Sequence, residues 1–505
     1  MKLNKMTIAE KVGQMLCFAF NGTEYNDQLE AQIKKLKIGG VIYFAKNITS
    51  PVQAAKLNAR LQKETEIPLF TCIDQEGGSV LRVMDKITPF PGAMGLAATK
   101  KNIKNICFNV AKDLKSIGFN LNHAPVADVN NNPLNPVINS RSYSDDPEVV
   151  AKYVCEAFKG FQEAGVLATV KHFPGHGNTS QDSHLLMPAL NASLEEMQKI
   201  ELIPFQRAFD EGIDGVMVSH VLYTALDENN PATLSHNIMT KLLQEQMGFK
   251  GLVVTDSLSM GAIEKNYTNE QVIELCVNGG VDMMIFCGEA RLADQEEIVN
   301  KFITMVKTGI ISEKRVDASV EKILRLKDKY CHGEIDTTNL APIAAVKEAN
   351  KLSEESVTLV KTNGILPLKK EDKVLILFPE IKLFSLVDNE NQKYKTLSVY
   401  LKVDEILFNR DLQNLELIKL EAQKYDKIIF ATYNVSASDY QTKVFDSLDK
   451  DKTIVVSIRS PYDVIHLHDV RNYICIYEAT PLSFNSLVTC LTGKAPFTGK
   501  LPVKL

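Results

Sequence analysis

The chain has 505 residues, a formal net charge of −5 and a composition that is 45% hydrophobic and 24% charged, as in an ordinary soluble globular protein of about two to four domains. No long single-sign block and no basic footprint is visible, which argues against a nucleic-acid partner. The 9 cysteines are scattered with no CxxC pair, so buried free thiols in a reducing compartment are expected rather than a zinc or disulfide framework.

The N-terminal stretch "MKLNKMTIAEKVGQMLCFAF" reads from Thr7 onward as an amphipathic helix. Its apolar run is short, is interrupted by Glu10 and Lys11, and has no small-residue cleavage site, so it does not read as a secretion signal. No run of about twenty apolar residues occurs, so no membrane span and no membrane partner are expected, and a cytoplasmic protein is. Short apolar runs then alternate with helical patterns. The predicted strands are "GGVIYF" (39–44), "LFTCID" (69–74), "FNLNHAPV" (119–126), "VLATVKH" (166–172), "GVMVSH" (215–220), "GLVVTD" (251–256) and "DMMIFC" (282–287). They are apolar almost throughout, as parallel strands covered on both faces are. Val150, Val154, Phe158 and Phe161 recur at helical spacing after a start at Asp146 and Pro147, and Ser193 with Glu196 reads as a capping box.

This alternation fits either a (β/α) barrel or an open doubly wound sheet. Polar residues at the C-terminal ends of many different strands (Asp74, Asp128, Lys171, His172, His220 and Asp256) favour the barrel, which gathers such ends around one mouth. An open sheet concentrates its ligand groups at one switch point, usually with a glycine-rich phosphate turn, and no such turn is seen. The predicted fold class is therefore α/β, with a TIM-like (β/α)8 barrel over residues 1–335. Residues 332–345, "HGEIDTTNLAPIAA", read as a linker, followed by a helix, "AVKEANKLSEESVTLVK". A second α/β set, "VLILF" (374–378), "KIIFATY" (427–433), "TIVVSI" (453–458) and "YICIYE" (473–478), makes 336–505 a smaller domain.

Residues 171–184, "KHFPGHGNTSQDSH", hold three histidines, a lysine and an aspartate in a turn-rich loop leaving a strand end. Such a cluster can bind a metal, move protons or hold a charged substrate. His172 and His176 have the i, i+4 spacing of helical zinc pairs, but Pro174 and Gly175 between them make a poor helix, and no metal is expected. Single histidines are often just satisfied polar groups. Asp182 and His184, however, flank one serine, and a carboxylate two residues from an imidazole can orient the ring and raise its pKa. The other ring nitrogen can then protonate a leaving group and later take a proton from a nucleophile. Asp256, in "VVTDSLSM", either caps the next helix or attacks an anomeric carbon, as the carboxylate of a glycosidase does.

These segments together resemble glycoside hydrolase family 3 in its β-N-acetylglucosaminidase branch. The likeness is carried by "KHFPGHGNTSQDSH", "DQEGGSVLR" (74–82), "NHAPVADV" (122–129), "SRSYSDDP" (140–147), "PFQRAFDEGIDGVMVSH" (204–220) and "GLVVTDSLSMGAI" (251–263). Late segments such as "SVTLVKTNGILPL" and "TGKLPV" resemble the family's second, sandwich-like domain. The resemblance implies Asp256 as nucleophile, His184 as acid/base and Asp182 as its partner. It implies sugar contacts from Asp74, Arg82, Arg141, Lys171 and His172, whose bland reading is salt bridging at strand ends. His176 would support the loop, and His123 and His220 would be structural or stand behind the residues that touch the sugar. Asn178 stands where many members carry an aspartate.

The implied activity is retaining release of terminal N-acetylglucosamine from cell-wall fragments or small chitin pieces, with no cofactor. Two rivals remain open. One is a phosphorylase that uses phosphate as acceptor, and the other is a non-catalytic sugar-binding protein. The chain has no Trp, so stacking on a sugar must come from Tyr, Phe or other side chains.

Overall fold

The computed structural model describes residues 3–180, 187–381, 396–411, 414–437 and 439–505. Eight parallel strands close into a barrel in sequential order: Leu16–Ala19 (β1), Gly40–Tyr43 (β2), Phe70–Ile73 (β3), Leu121–Asn122 (β4), Leu167–Phe173 (β5), Gly215–Val218 (β6), Leu252–Ser257 (β7) and Met283–Phe286 (β8). The ring is closed where β1 pairs with β8 on one side, Leu16 opposite Met284, and with β2 on the other, Cys17 opposite Gly40. Seven of the eight are buried at every residue and β7 at all but its last two, so their runs are continuously apolar rather than alternating. The nine cysteines are free, and most are buried.

β1 corrects the reading of Thr7 onward as one helix. Thr7 and Glu10 form a capping box, but the helix ends at Gln14, and "LCFA" turns into a barrel strand. An unbroken apolar run of this length carries no period that separates helix from strand. The run predicted at 119–126 is also shorter than expected: β4 holds two residues, Pro125 has no N–H to offer a ladder, and Val126 rejoins the sheet only as a single bridge to Lys171.

The helix predicted from Asp146 spans Pro147–Glu163, its first turn closed by the Asp146 carboxylate on the N–H of Glu148 at 2.9 Å and with Pro147 at the first helical position. Ser193 and Glu196 form the capping box that opens Leu194–Lys199.

After the barrel, a loop leads into the helix Ile343–Ser356. The helix predicted to run on through Lys361 stops at Ser356, and Thr358–Lys361 (β9) is a strand. It edges a six-stranded sheet with Val374–Pro379 (β10), Asp404–Phe408 (β11), Lys427–Thr432 (β12), Thr453–Ser457 (β13) and Tyr473–Cys475 (β14). The order is β9-β14-β13-β12-β10-β11, parallel except for β9. Separate apolar clusters cover its two faces, giving a three-layer α/β sandwich. Met94 and Ala98, from a barrel helix (Ala93–Ala98), join one of those clusters, so the two parts share an apolar seam.

Candidate active site

The barrel fixes the mouth by putting one strand end beside the next. Asp74 follows β3, and Glu76, two residues on, sits beside it in the same network. Lys171, near the end of β5, donates from Nζ to Asp74 Oδ1 at 2.8 Å and lies 2.6 Å from Glu76 Oε1. Arg141 closes a two-pronged contact on Glu76, with Nε to Oε2 at 2.9 Å and Nη2 to Oε1 at 2.8 Å. Arg82 Nη2 stands 3.8 Å from Asp74 Oδ2.

All of these side chains are largely removed from water. Burial alone would push Asp74 up, but Lys171 and Arg82 outweigh it and hold the carboxyl at about 2. Burial likewise acts on Glu76 and is overcome by Arg141 and Lys171, which hold it well below the usual carboxylate range. Burial would lower Lys171, but Asp74 and Glu76 raise it. The mouth is thus lined by fixed anions and cations, whose acceptors and donors suit the paired hydroxyls of a sugar.

Sequence reasoning placed Asp74, Arg82, Arg141 and Lys171 at the site, and the structure brings these four together. It missed Glu76, which takes both Arg141 and Lys171. The signal was present in the Asp-x-Glu spacing of "DQEGG".

The Lys171–His172 peptide is cis. The His172 Nδ1 meets Asp128 Oδ2 at 2.6 Å. A carboxylate accepts, so Nδ1 carries the proton and Nε2 is the nitrogen left for other partners. Asp128 also accepts the backbone N–H of His172 at 3.2 Å and of His176 at 2.6 Å. One buried carboxylate therefore orients the ring and fixes the start of the loop. Burial would raise Asp128, and His172 and His176 lower it. Asp128 was noted as a strand-end residue but not linked to His172, because nothing local in sequence pairs residues 44 apart.

The loop continues under firm control. Asn135 Nδ2 donates to the carbonyls of His176 at 2.8 Å and Gly177 at 2.9 Å, and Asn132 Nδ2 donates to that of Thr179 at 3.2 Å. Gly177 has no room for a side chain, because a Cβ there would lie 1.7 Å from the carbonyl oxygen of Val129. His176 is pushed down to about 4 by burial and the neighbouring His172. Asp182 and His184 lie outside the described residues.

Asp256 is the penultimate residue of β7 and half-buried, with Oδ1 accepting the N–H of Ser257 at 2.7 Å. It does not cap the next helix, which begins at Gly261 with Met260 at the cap. His220 Nε2 donates to the carbonyl of Ser257 at 2.8 Å and so steadies the strand end that carries Asp256. His123 is buried between β3 and β5, with Nδ1 3.1 Å from Thr169 Oγ1. Burial pushes it down to about 4, with the charges of Asp74 and Asp256 acting in the opposite direction. Among the described residues no group of three or more His, Cys, Asp or Glu side chains is placed to hold a metal ion. Nor is any described helix long and apolar enough to cross a membrane.

A closed barrel with charged strand ends at one mouth is the setting of an enzyme of the (β/α)8 class. The glycosyl hydrolase family 3 N-terminal domain matches residues 7–326, and the chain belongs to that family. It is similar to a beta-hexosaminidase A from Pseudoalteromonas piscicida, with 28% identity over 94% of this chain and 90% of that protein. It is also similar to the solved family 3 beta-N-acetylglucosaminidase of Paenibacillus sp. strain FPU-7, with 35% identity, a TM-score of 0.93 and 99% of both chains covered. A beta-glucoside phosphorylase, 24% identical with a TM-score of 0.85 over 99% of this chain and 95% of that one, shares the fold.

Proposed function

We propose that the chain is a retaining exo-β-N-acetylglucosaminidase whose barrel domain, 1–335, carries the chemistry and whose sandwich domain, 336–505, flanks it. The observation that supports this best is the interlocked set Asp74, Glu76, Lys171 and Arg141 at the barrel mouth where β7 also ends with Asp256. Fixed acceptors and donors grip one pyranose while a separate carboxylate stands near the end of β7 at the same mouth.

In this reading Asp256 attacks the anomeric carbon as His184, oriented by Asp182, protonates the leaving oxygen. The C–O bond to the leaving group breaks as the ester to Asp256 forms. His184 then takes a proton from water, whose oxygen displaces Asp256 and releases the sugar with retained configuration. Arg82 and His172 complete the grip on the sugar. The substrates are small carbohydrates ending in N-acetylglucosamine, either peptidoglycan fragments in which it is linked to anhydro-muramic acid or short chitin pieces, met in the cytoplasm.

The test compares two chromogenic N-acetylglucosaminides, one with a good and one with a poor leaving group. Asp256→Ala is expected to lose turnover on both, and His184→Ala to lose far more on the poor leaving group. Equal loss from His184→Ala on the two substrates would remove His184 as the acid.

Phosphorolysis is the second reading. An imidazole repels an anionic acceptor less than a glutamate does, so phosphate can replace water without a change of residues. Sugar-1-phosphate formed in phosphate buffer is its signature. Failure to turn over any N-acetylglucosaminide, with or without phosphate, would leave the non-catalytic reading.

A further inference from the structure

Beyond the mouth, a buried carboxyl links the sandwich domain to a loop on which the site depends. Glu478, just past β14, is buried. Its Oε2 accepts the backbone N–H of Gly92 at 2.5 Å, and its Oε1 accepts Thr480 Oγ1 at 2.9 Å. Gly92 lies against the tip of the 74–82 segment, where Gly78 donates from its N–H to the carbonyl of Phe90 at 3.0 Å. Gly78 has φ +59, and a Cβ there would lie 2.8 Å from both Glu478 Oε2 and Gly92 Cα. A Cβ on Gly92 would also meet Glu478 Oε2 at 2.8 Å. Both positions are bare because a carboxyl from the other domain presses on them.

The same short segment carries Asp74 and Glu76 before the tip and Arg82 after it. The tip itself is closed by the N–H groups of Glu76 and Gly77 on the carbonyl of Val80 at 3.0 and 3.3 Å. Among the described residues no cation contacts Glu478, and burial pushes its carboxyl to about 7. It acts as a hydrogen-bond acceptor rather than as half of an ion pair.

We propose that Glu478 is a positioning residue for the sugar subsite: from the sandwich domain it fixes the tip of the 74–82 segment, and so sets where Asp74, Glu76 and Arg82 meet the pyranose. This rests on the reading of the mouth as an N-acetylglucosamine site.

The test uses the full chain and its E478A, E478D and E478Q variants. N105A serves as a control; it cuts the 2.6 Å contact from Asn105 to Glu348, between the helices Lys104–Ser116 and Ile343–Ser356, and leaves the Glu478–Gly92 contact in place. Affinity for free N-acetylglucosamine is measured by calorimetry, and kcat and KM on a chromogenic N-acetylglucosaminide. E478A and E478D are expected to weaken N-acetylglucosamine binding by about tenfold or more, because the freed tip no longer presets the binding groups. The loss should appear in KM as well as kcat. E478Q is expected to stay within about threefold of the parent, since its amide can accept from Gly92 and donate to Thr480. N105A should bind as the parent does.

E478D shortens the side chain by one methylene and keeps a carboxyl, so it carries the same expectation should E478A fail to fold. A folded E478A or E478D that binds N-acetylglucosamine as tightly as the parent would overturn the proposal. A parent chain that neither binds nor turns over N-acetylglucosamine compounds would instead overturn the functional reading beneath it.

Discussion

Asp74 and Glu76 at the barrel mouth, and Asp463 and Glu478 in the sandwich domain, are all largely removed from water, yet they titrate in opposite directions. Burial pushes Asp463 and Glu478 up to about 7, only partly offset by hydrogen bonds from Val435, Gly92 and Thr480. Burial acts on Asp74 and Glu76 too, but Lys171, Arg82 and Arg141 reverse its sign. Depth therefore does not decide whether a carboxyl stays ionised; the cations beside it do. Two sheets with the same kind of apolar parallel strands end in different chemistry. The closed one stores paired charge at its carboxyl ends, and the open one hides carboxyls whose ionisation burial disfavours. Charge held buried at that cost marks the mouth as the candidate working site.

The largest effect expected from this contrast is at Asp256. Asp256→Ala should lower kcat on a chromogenic N-acetylglucosaminide by roughly four orders of magnitude or more while leaving the unfolding midpoint close to that of the parent. A comparable removal in the sandwich domain, Asp463→Asn, should leave kcat within a factor of about two.

Lys171→Met breaks the comparison at its root. It leaves two buried carboxyls short of a cation, so kcat/KM should fall by roughly a hundredfold and urea denaturation should show a loss of about 3–5 kcal/mol. Gly177→Ala comes next. The added methyl collides with the Val129 carbonyl and must shift the loop, so kcat/KM should fall by about ten- to a hundredfold with a smaller change in the urea midpoint.

The smallest effect is one of pH. Asp74 has a folded pKa of about 2, below its unfolded value of about 3.9, so its stabilisation is complete above about pH 4 and is lost as pH falls through about 2. Asp463 and Glu478 run the other way. Between about pH 4 and 7 the folded chain keeps protons that the unfolded chain has released, so they make stability fall as pH rises. Asp463→Asn should therefore flatten the slope of urea midpoint against pH across that window. An unchanged slope would mean that Asp463 is already ionised in the folded protein.

Much of this was legible from residue patterns. Seven of the barrel strands show as apolar runs, and the polar residues at their ends distinguish a barrel from an open sheet. β1 was lost because "LCFA" follows a capped helix without a break in apolar character. β9 and β11 were lost because edge strands are partly exposed and carry a weak pattern. At the site, the residue types were visible but their partners were not. Lys171 and Asp74 are 97 positions apart, and only closure of the barrel makes them neighbours. Glu76 carries no local mark of its two cations, Arg141 and Lys171, and Gly177 carries none of the Val129 carbonyl beneath it; both are set by distant chain.

The nucleophile is the claim on which the rest turns, and it can be caught directly. The parent enzyme is treated with a 5-fluoro-N-acetylglucosaminyl fluoride, which slows the second step, then digested and its peptides read by mass spectrometry. The expected result is one added sugar on the peptide carrying Asp256, absent from Asp256→Ala. A sugar found on Asp74 or any other side chain, or turnover with no adduct on Asp256, would contradict it.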